Sequence, residues 1–206
     1  MAVYATEIAR VKALLDISST THDDELTTMV KGVSTRIEAF IDRALHKTAR
    51  TEEYSIRPRQ NVLYLRSYPV SSITSIKVAT DWDFASAAAL ATDDFHLDGE
   101  TGMVHLTYSP ITNYLGDNNA TAPNAVQVVY TGGFDTSTTN FIAAYPDIAL
   151  AADLQVVATW RRRDMPQGKN VSLQGSSMAY EQPLQFVPDV VQTLTPYRRL
   201  RFAANS

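Results

Sequence analysis

The chain has 206 residues, no cysteine, 18 basic against 22 acidic residues and a formal net charge of −4. With 45% hydrophobic and 19% charged residues, its composition is globular and excludes fibrous and disordered classes. Its length, between one and two domains of ~150 residues, predicts one core with an insertion or a tail. The missing cysteines exclude disulfides, thiolate metal sites and cysteine nucleophiles. No run approaches the ~18 apolar residues of a membrane span, and residues 1–12 lack the apolar stretch of a signal peptide.

Two helices are predicted first. Val3 to Ile17 places Ile8, Val11, Leu14 and Leu15 at helical spacing, with Thr6 as candidate cap. A second helix opens at His22-Asp23-Asp24-Glu25, whose acids suit the positive end of a helix dipole. Its apolar stripe runs from Leu26 through Val30, Val33, Ile37 and Ile41 to Leu45. After Lys47 the texture turns to strands: Glu52 to Ile56, Val62 to Leu65, Ile73 to Ala79 and Ala125 to Tyr130, the last stopped by Thr131-Gly132-Gly133-Phe134. Tyr68-Pro69-Val70 reads as a turn. Phe95 to Leu97 and Met103 to Tyr108, joined by Asp98-Gly99-Glu100-Thr101-Gly102, form the clearest hairpin. If Asp98 pairs with Met103, His96 faces His105. Ser109 to Asn124, polar with two prolines, reads as a long exposed loop.

A central helix begins at Tyr145-Pro146-Asp147, with proline near the first helical position. From Ile148 to Trp160 it is apolar on nearly every side, as expected of a core helix or of one shared with another subunit. It ends in Arg161, Arg162 and Arg163, suited to the negative helix terminus. Asp164 to Gln185 shows no period and few large apolar residues, so it is expected to pack no core. Pro188 to Leu200 is a short helix candidate.

Charge is uneven. Residues 78–160 contain no Lys or Arg but carry Asp81, Asp83, Asp93, Asp94, Asp98, Glu100, Asp117, Asp135, Asp147 and Asp153. From Arg161 the balance turns basic, which suggests different neighbours for the two surfaces. Known catalytic motifs are missing: there is no G-x-S-x-G, no G-x-x-x-x-G-K, no G-x-G-x-x-G and no H-E-x-x-H. A metal site can be drawn from His96, His105, Asp93 and Asp94, but polar side chains on a solvated strand are the preferred reading. No catalytic residue, metal or cofactor is assigned. Trp160 with Arg161, Arg162 and Arg163 offers an intersubunit or DNA phosphate contact. The acidic net charge argues against a dedicated DNA binder.

Four stretches together resemble a known family. They are the helical pair Ile8 to Ile17 and Asp23 to Arg43, the strand pair Leu63-Tyr64-Leu65-Arg66-Ser67-Tyr68-Pro69-Val70-Ser71-Ser72-Ile73-Thr74-Ser75-Ile76, the segment Val128 to Phe134, and Tyr145 to Ala151 running into Trp160-Arg161-Arg162-Arg163. In this order they resemble the head-to-tail connector (adaptor) proteins of long-tailed bacteriophages, over most of residues 1–163. Residues 164–206 match no pattern of that family.

The resemblance implies an α+β fold: a helical core (residues 1–48 and 141–165), an inserted antiparallel β domain (49–140) and an extended C-terminal arm with a short helix (166–206). It implies a non-enzymatic virion component at the head-tail junction. The chain would form a homo-oligomeric ring, a dodecamer, beneath the portal protein, with a neck or tail protein docked below. Genomic double-stranded DNA would pass through without sequence-specific binding, and no membrane is involved. In relatives the C-terminal segment reaches the portal. Here Val187, Val190, Val191, Leu194, Tyr197 and Phe202 offer apolar surface, and Arg198, Arg199 and Arg201 offer charge. Asp81, Asp83, Asp93, Asp94, Asp98 and Glu100 are candidate channel or interface residues. Another neck or tail completion protein, or a DNA-binding packaging subunit, is the alternative.

Overall fold

The computed structural model describes residues 2–57, 60–79, 81–107, 122–163, 170–173, 176–179 and 186–199. It is a mixed α+β structure with two compact units. The helical unit is Met1–Asp42 with Ser137–Ser206, and the β unit is Arg43–Thr136.

In the helical unit, α1 (Ile8–Leu15) and α2 (Asp23–Ile41) both end on an aspartate in the left-handed conformation, Asp16 and Asp42, each with φ 55°. Aspartate tolerates that geometry better than most side chains. The left-handed turn at Asp42 ends α2 four residues before the apolar stripe does. α3 (Thr138–Ala144) escapes the periodicity argument because it is only two turns long. Its signal is Ser137, whose hydroxyl accepts from the Asn140 N–H at 3.2 Å. α4 (Pro146–Arg162) starts with its proline in the first turn, where a missing N–H costs nothing. α5 (Pro188–Leu194) continues into a 3-10 turn, Thr195–Tyr197. Leu26, Ile37, Ile41, Phe141, Ile148 and Leu194 are all fully buried, so α2, α3, α4 and α5 share one core.

Two expectations for this unit fail. Thr6 does not cap α1; the cap position is Glu7, and the Thr6 hydroxyl donates to Asp153 Oδ1. Nor is α4 apolar all round: Asp153 and Gln155 are buried, while Leu150 and Leu154 are 51% and 42% exposed. Both buried groups are satisfied, Asp153 by Thr6 and Arg10, Gln155 by accepting the Val187 N–H at 3.0 Å.

In the β unit, β1 (Thr48–Ile56), β6 (Ala122–Gly132) and β3 (Val70–Val78) form an antiparallel sheet in the order β1-β6-β3. β2 (Val62–Tyr64), β5 (Met103–Leu106) and β4 (Phe95–Asp98) form a second, in the order β2-β5-β4. Side chains of both sheets interleave in one core that includes Ile56, Leu63, Ile76, Val104, Val126 and Tyr130. β1 starts four residues before the expected Glu52, because its alternating burial begins at Thr48. Val70 opens β3, and the Tyr68–Pro69 bond before it is cis. The proposed long loop lies mostly outside the described residues, and its end is already strand from Ala122.

Sterics require glycine at positions 132 and 133, where β6 ends. A Cβ on Gly132 would lie 2.1 Å from the Ser67 carbonyl oxygen, and one on Gly133, at φ 125°, would lie 2.5 Å from that of His46. Within the stretch expected to pack no core, β7 (Asn170–Leu173) and β8 (Ser176–Ala179) pair as a hairpin. Ladder hydrogen bonds need no apolar period. Among the described residues no single helix is long and apolar enough to cross a membrane.

Candidate functional site

The candidate site is a set of surfaces, and the first is the C-terminal segment. Val190 and Leu194 are fully buried within the helical unit. This corrects their assignment to a partner: α5 uses its apolar face to complete the chain's own core. Val187 and Val191 are half-buried. The Tyr197 hydroxyl donates to Asp147 at 2.5 Å. Arg198 is exposed and stacks over Phe40, which meets Phe186 edge-on. The Arg199 N–H donates to the Ile41 carbonyl at 2.8 Å, and its guanidinium lies 3.4 Å from Asp42. The chain is thus fastened to the C-terminal end of α2 as far as Arg199. Arg201 and Phe202 lie outside the described residues.

The second group is the end of α4. Trp160 is nearly buried, with His22 against its edge and the Arg163 guanidinium 3.6 Å from its ring centroid. Arg163 also pairs with Glu25 at 2.8 Å. Trp160 and Arg163 therefore tie α4 to the start of α2. Arg162 is half-buried, and Arg161 is exposed.

The acidic residues of the β unit act first on their own loops. Asp98 accepts from the N–H of Glu100 and the hydroxyl of Thr101, closing the β4–β5 turn, and the Thr101 bond holds its carboxyl below the usual range. Asp83 is lowered in the same way by the Ser86 hydroxyl. Asp81 accepts from the Asp83 N–H, and Asp94 from that of Ala91. Asp81, Asp83, Asp93 and Glu100 are exposed, Asp94 and Asp98 half-buried. Asp98 pairs with Met103 and His96 with His105, the register foreseen from the hairpin. No three metal-ligating side chains cluster among the described residues.

The β unit also holds a partly buried polar network around Glu52 and the buried Tyr130. Glu52 accepts from the hydroxyl of Tyr54 and, at 2.8 Å, from that of Tyr130, which in turn accepts the Ser67 N–H at 3.0 Å. Burial and the bonded carboxylate push the Tyr130 hydroxyl up to about 12, and the Tyr54 hydroxyl moves further in the same direction.

Two features were missed from the sequence. One is the outer face of α4 with Leu150 and Leu154, whose only signal is their four-residue spacing. The other is a cavity of about 330 Å³ in the helical unit, walled by Tyr4, Ile8, Ala9, Val30 and Lys31 among others.

Comparison with known proteins agrees with the connector resemblance. The chain is similar to a protein in the virion of a native gene transfer agent particle, with 18% identity and a TM-score of 0.59, covering 99% of this chain and 95% of that one. It is similar to a protein in the neck of the empty particle computed with C6 symmetry (17% identity, TM-score 0.59), and to one in the neck of the native particle computed with C12 symmetry (17%, 0.57). Each of these covers 97% of this chain and 92% of the other. At such identities the likeness is one of fold. No curated protein matches. The head completion protein family model matches residues 5–200, and the chain belongs to that family.

Proposed function

We propose that the chain is the adaptor at the head-tail junction of a tailed bacteriophage or a related particle. It assembles as a closed ring of twelve beneath the portal, extends the DNA channel and offers the docking surface for the next neck or tail protein. The observation that carries this reading is that the family match spans both units, and that the whole chain shares its fold with components of particle necks. The helical unit supplies the wall of the ring. The segment after Arg199, with Arg201 and Phe202, reaches the portal. Asp81, Asp83, Asp93 and Glu100 line the bore, where carboxylates repel phosphate and let DNA slide.

The test is to mix the purified chain with its portal and image the product. A twelve-fold ring seated on the portal, with the β-unit carboxylates facing the bore, is the expected result. A chain that stays monomeric with portal present, or a bore lined by Arg161 to Arg163, overturns the reading. DNA binding by the isolated chain, falling steeply with salt, would favour a packaging subunit instead.

A further inference from the structure

The exposed face of α4 is an ordered stripe. Leu150 and Leu154, 51% and 42% exposed, are four residues apart and so lie one above the other. Asp147 sits one turn before them and Arg161 two turns after, both exposed and on the same face. α1 carries a matching surface. Ala9 and Ala13 have the same four-residue spacing and are exposed, the exposed Asp16 ends the helix just beyond them, and the cavity of about 330 Å³ opens beside Ala9 with Lys31 in its wall. Among the described residues the side chains of Asp16, Lys31 and Arg161 make no hydrogen bond or ion pair.

We propose that the seam of the ring is α4 of one copy laid parallel to α1 of the next. This rests on the ring reading above and specifies which faces build it. Leu150 enters the cavity beside Ala9, Leu154 covers Ala13, Arg161 meets Asp16 and Asp147 meets Lys31. The two small alanines let the helix axes approach closely. The leucine and alanine pairs share one rise of about 6 Å. Arg161 lies about 10 Å beyond Leu154, and Asp16 lies nearer to Ala13, at the end of the last turn of α1. An arginine side chain leaning toward its helix N-terminus spans the difference. Asp147 already accepts from Tyr197, and a carboxylate keeps room for an ammonium as well. Charge fixes the direction: an antiparallel seam would set Arg161 against Lys31 and Asp147 against Asp16. The two faces are different surfaces of one chain, as a heterologous contact that closes into a ring requires.

The absence of native cysteine allows a direct test on the full chain. With Ala13→Cys and Leu154→Cys together, oxidation of assembled protein should give a covalent ladder of oligomers, while either single variant should give none. Leu150→Asp with Leu154→Asp changes only exposed positions. It should keep the helical signal and melting temperature, and raise the concentration needed for ring assembly by about a hundredfold. Asp16→Asn and Arg161→Gln should each weaken assembly by about threefold, and the double variant no further. Wild-type rings that form no ladder in the double-cysteine chain, or that tolerate both aspartates, overturn the seam and leave the ring standing. A wild-type chain that forms no ring, alone or on its portal, overturns both.

Discussion

Asp153 shows how much one side chain can hold. It is 1% exposed on α4, and its carboxylate takes both the Nε and an Nη of Arg10, at 3.1 and 2.7 Å, as well as the Thr6 hydroxyl. Truncation strands the buried Thr6 hydroxyl and releases Arg10, 40% exposed, to water, so Asp153→Ala should cost about 2 kcal/mol, read from the urea midpoint. The Tyr130 hydroxyl titrates at about 12 in the folded chain against 10.0 when free. Its folded value is the higher, so its contribution to stability is complete below pH 10 and is lost as pH rises toward 12. In an alkaline titration followed by tyrosinate absorbance, Tyr54 and Tyr130 should ionise last of the ten tyrosines, together with loss of β structure. Smooth ionisation of all ten near pH 10 would contradict the buried network. Neither residue was legible in the sequence. Asp153 is a lone acid within an apolar helical stretch and Tyr130 ends an apolar strand, and partners 147 and 78 residues away leave no local pattern.

At the scale of elements, legibility follows length. α2 and α4 announce themselves by sustained period, and the β4–β5 hairpin by its turn glycines. The pairing of β6 between β1 and β3 was out of reach, because strand order is set by long-range packing. The same limit explains α5. Val190 and Leu194 are apolar residues at helical spacing, and spacing alone does not say whether the buried face meets its own chain or another. The structure makes α5 part of the helical core, so the docking role proposed for the C-terminal segment falls to the residues after Arg199. Removing residues 186–206 should therefore destabilise the helical unit by about 4 kcal/mol, the burial of two aliphatic side chains. Removing 200–206 should leave the melting temperature unchanged and lower portal affinity by about tenfold or more. A short truncation that melts the helical unit, or binds portal normally, would return the docking role to α5 or to another surface.

At the scale of the whole molecule, the chain leaves the helical unit after Asp42 and returns at Ser137. The two ends of the β unit are fastened to each other by backbone hydrogen bonds. The Lys47 N–H donates to the Asp135 carbonyl at 2.7 Å, the Asp135 N–H to Leu45 at 3.1 Å and the Phe134 N–H to Ala44 at 3.3 Å. Closed ends and a separate core make the β unit an insertion that carries its own stability. Damage to one core should therefore stay local. Gly133 has φ 125° and faces the His46 carbonyl at the Cβ position, so Gly133→Ala should cost at least about 2 kcal/mol. In hydrogen exchange of the full chain, that variant should speed exchange in β1, β3 and β6 and leave α2 and α4 at wild-type rates. Asp153→Ala should do the reverse, and the double variant should show the sum, because distant sites with no shared partner add. Faster exchange in both units from either single change would mean that they unfold as one body.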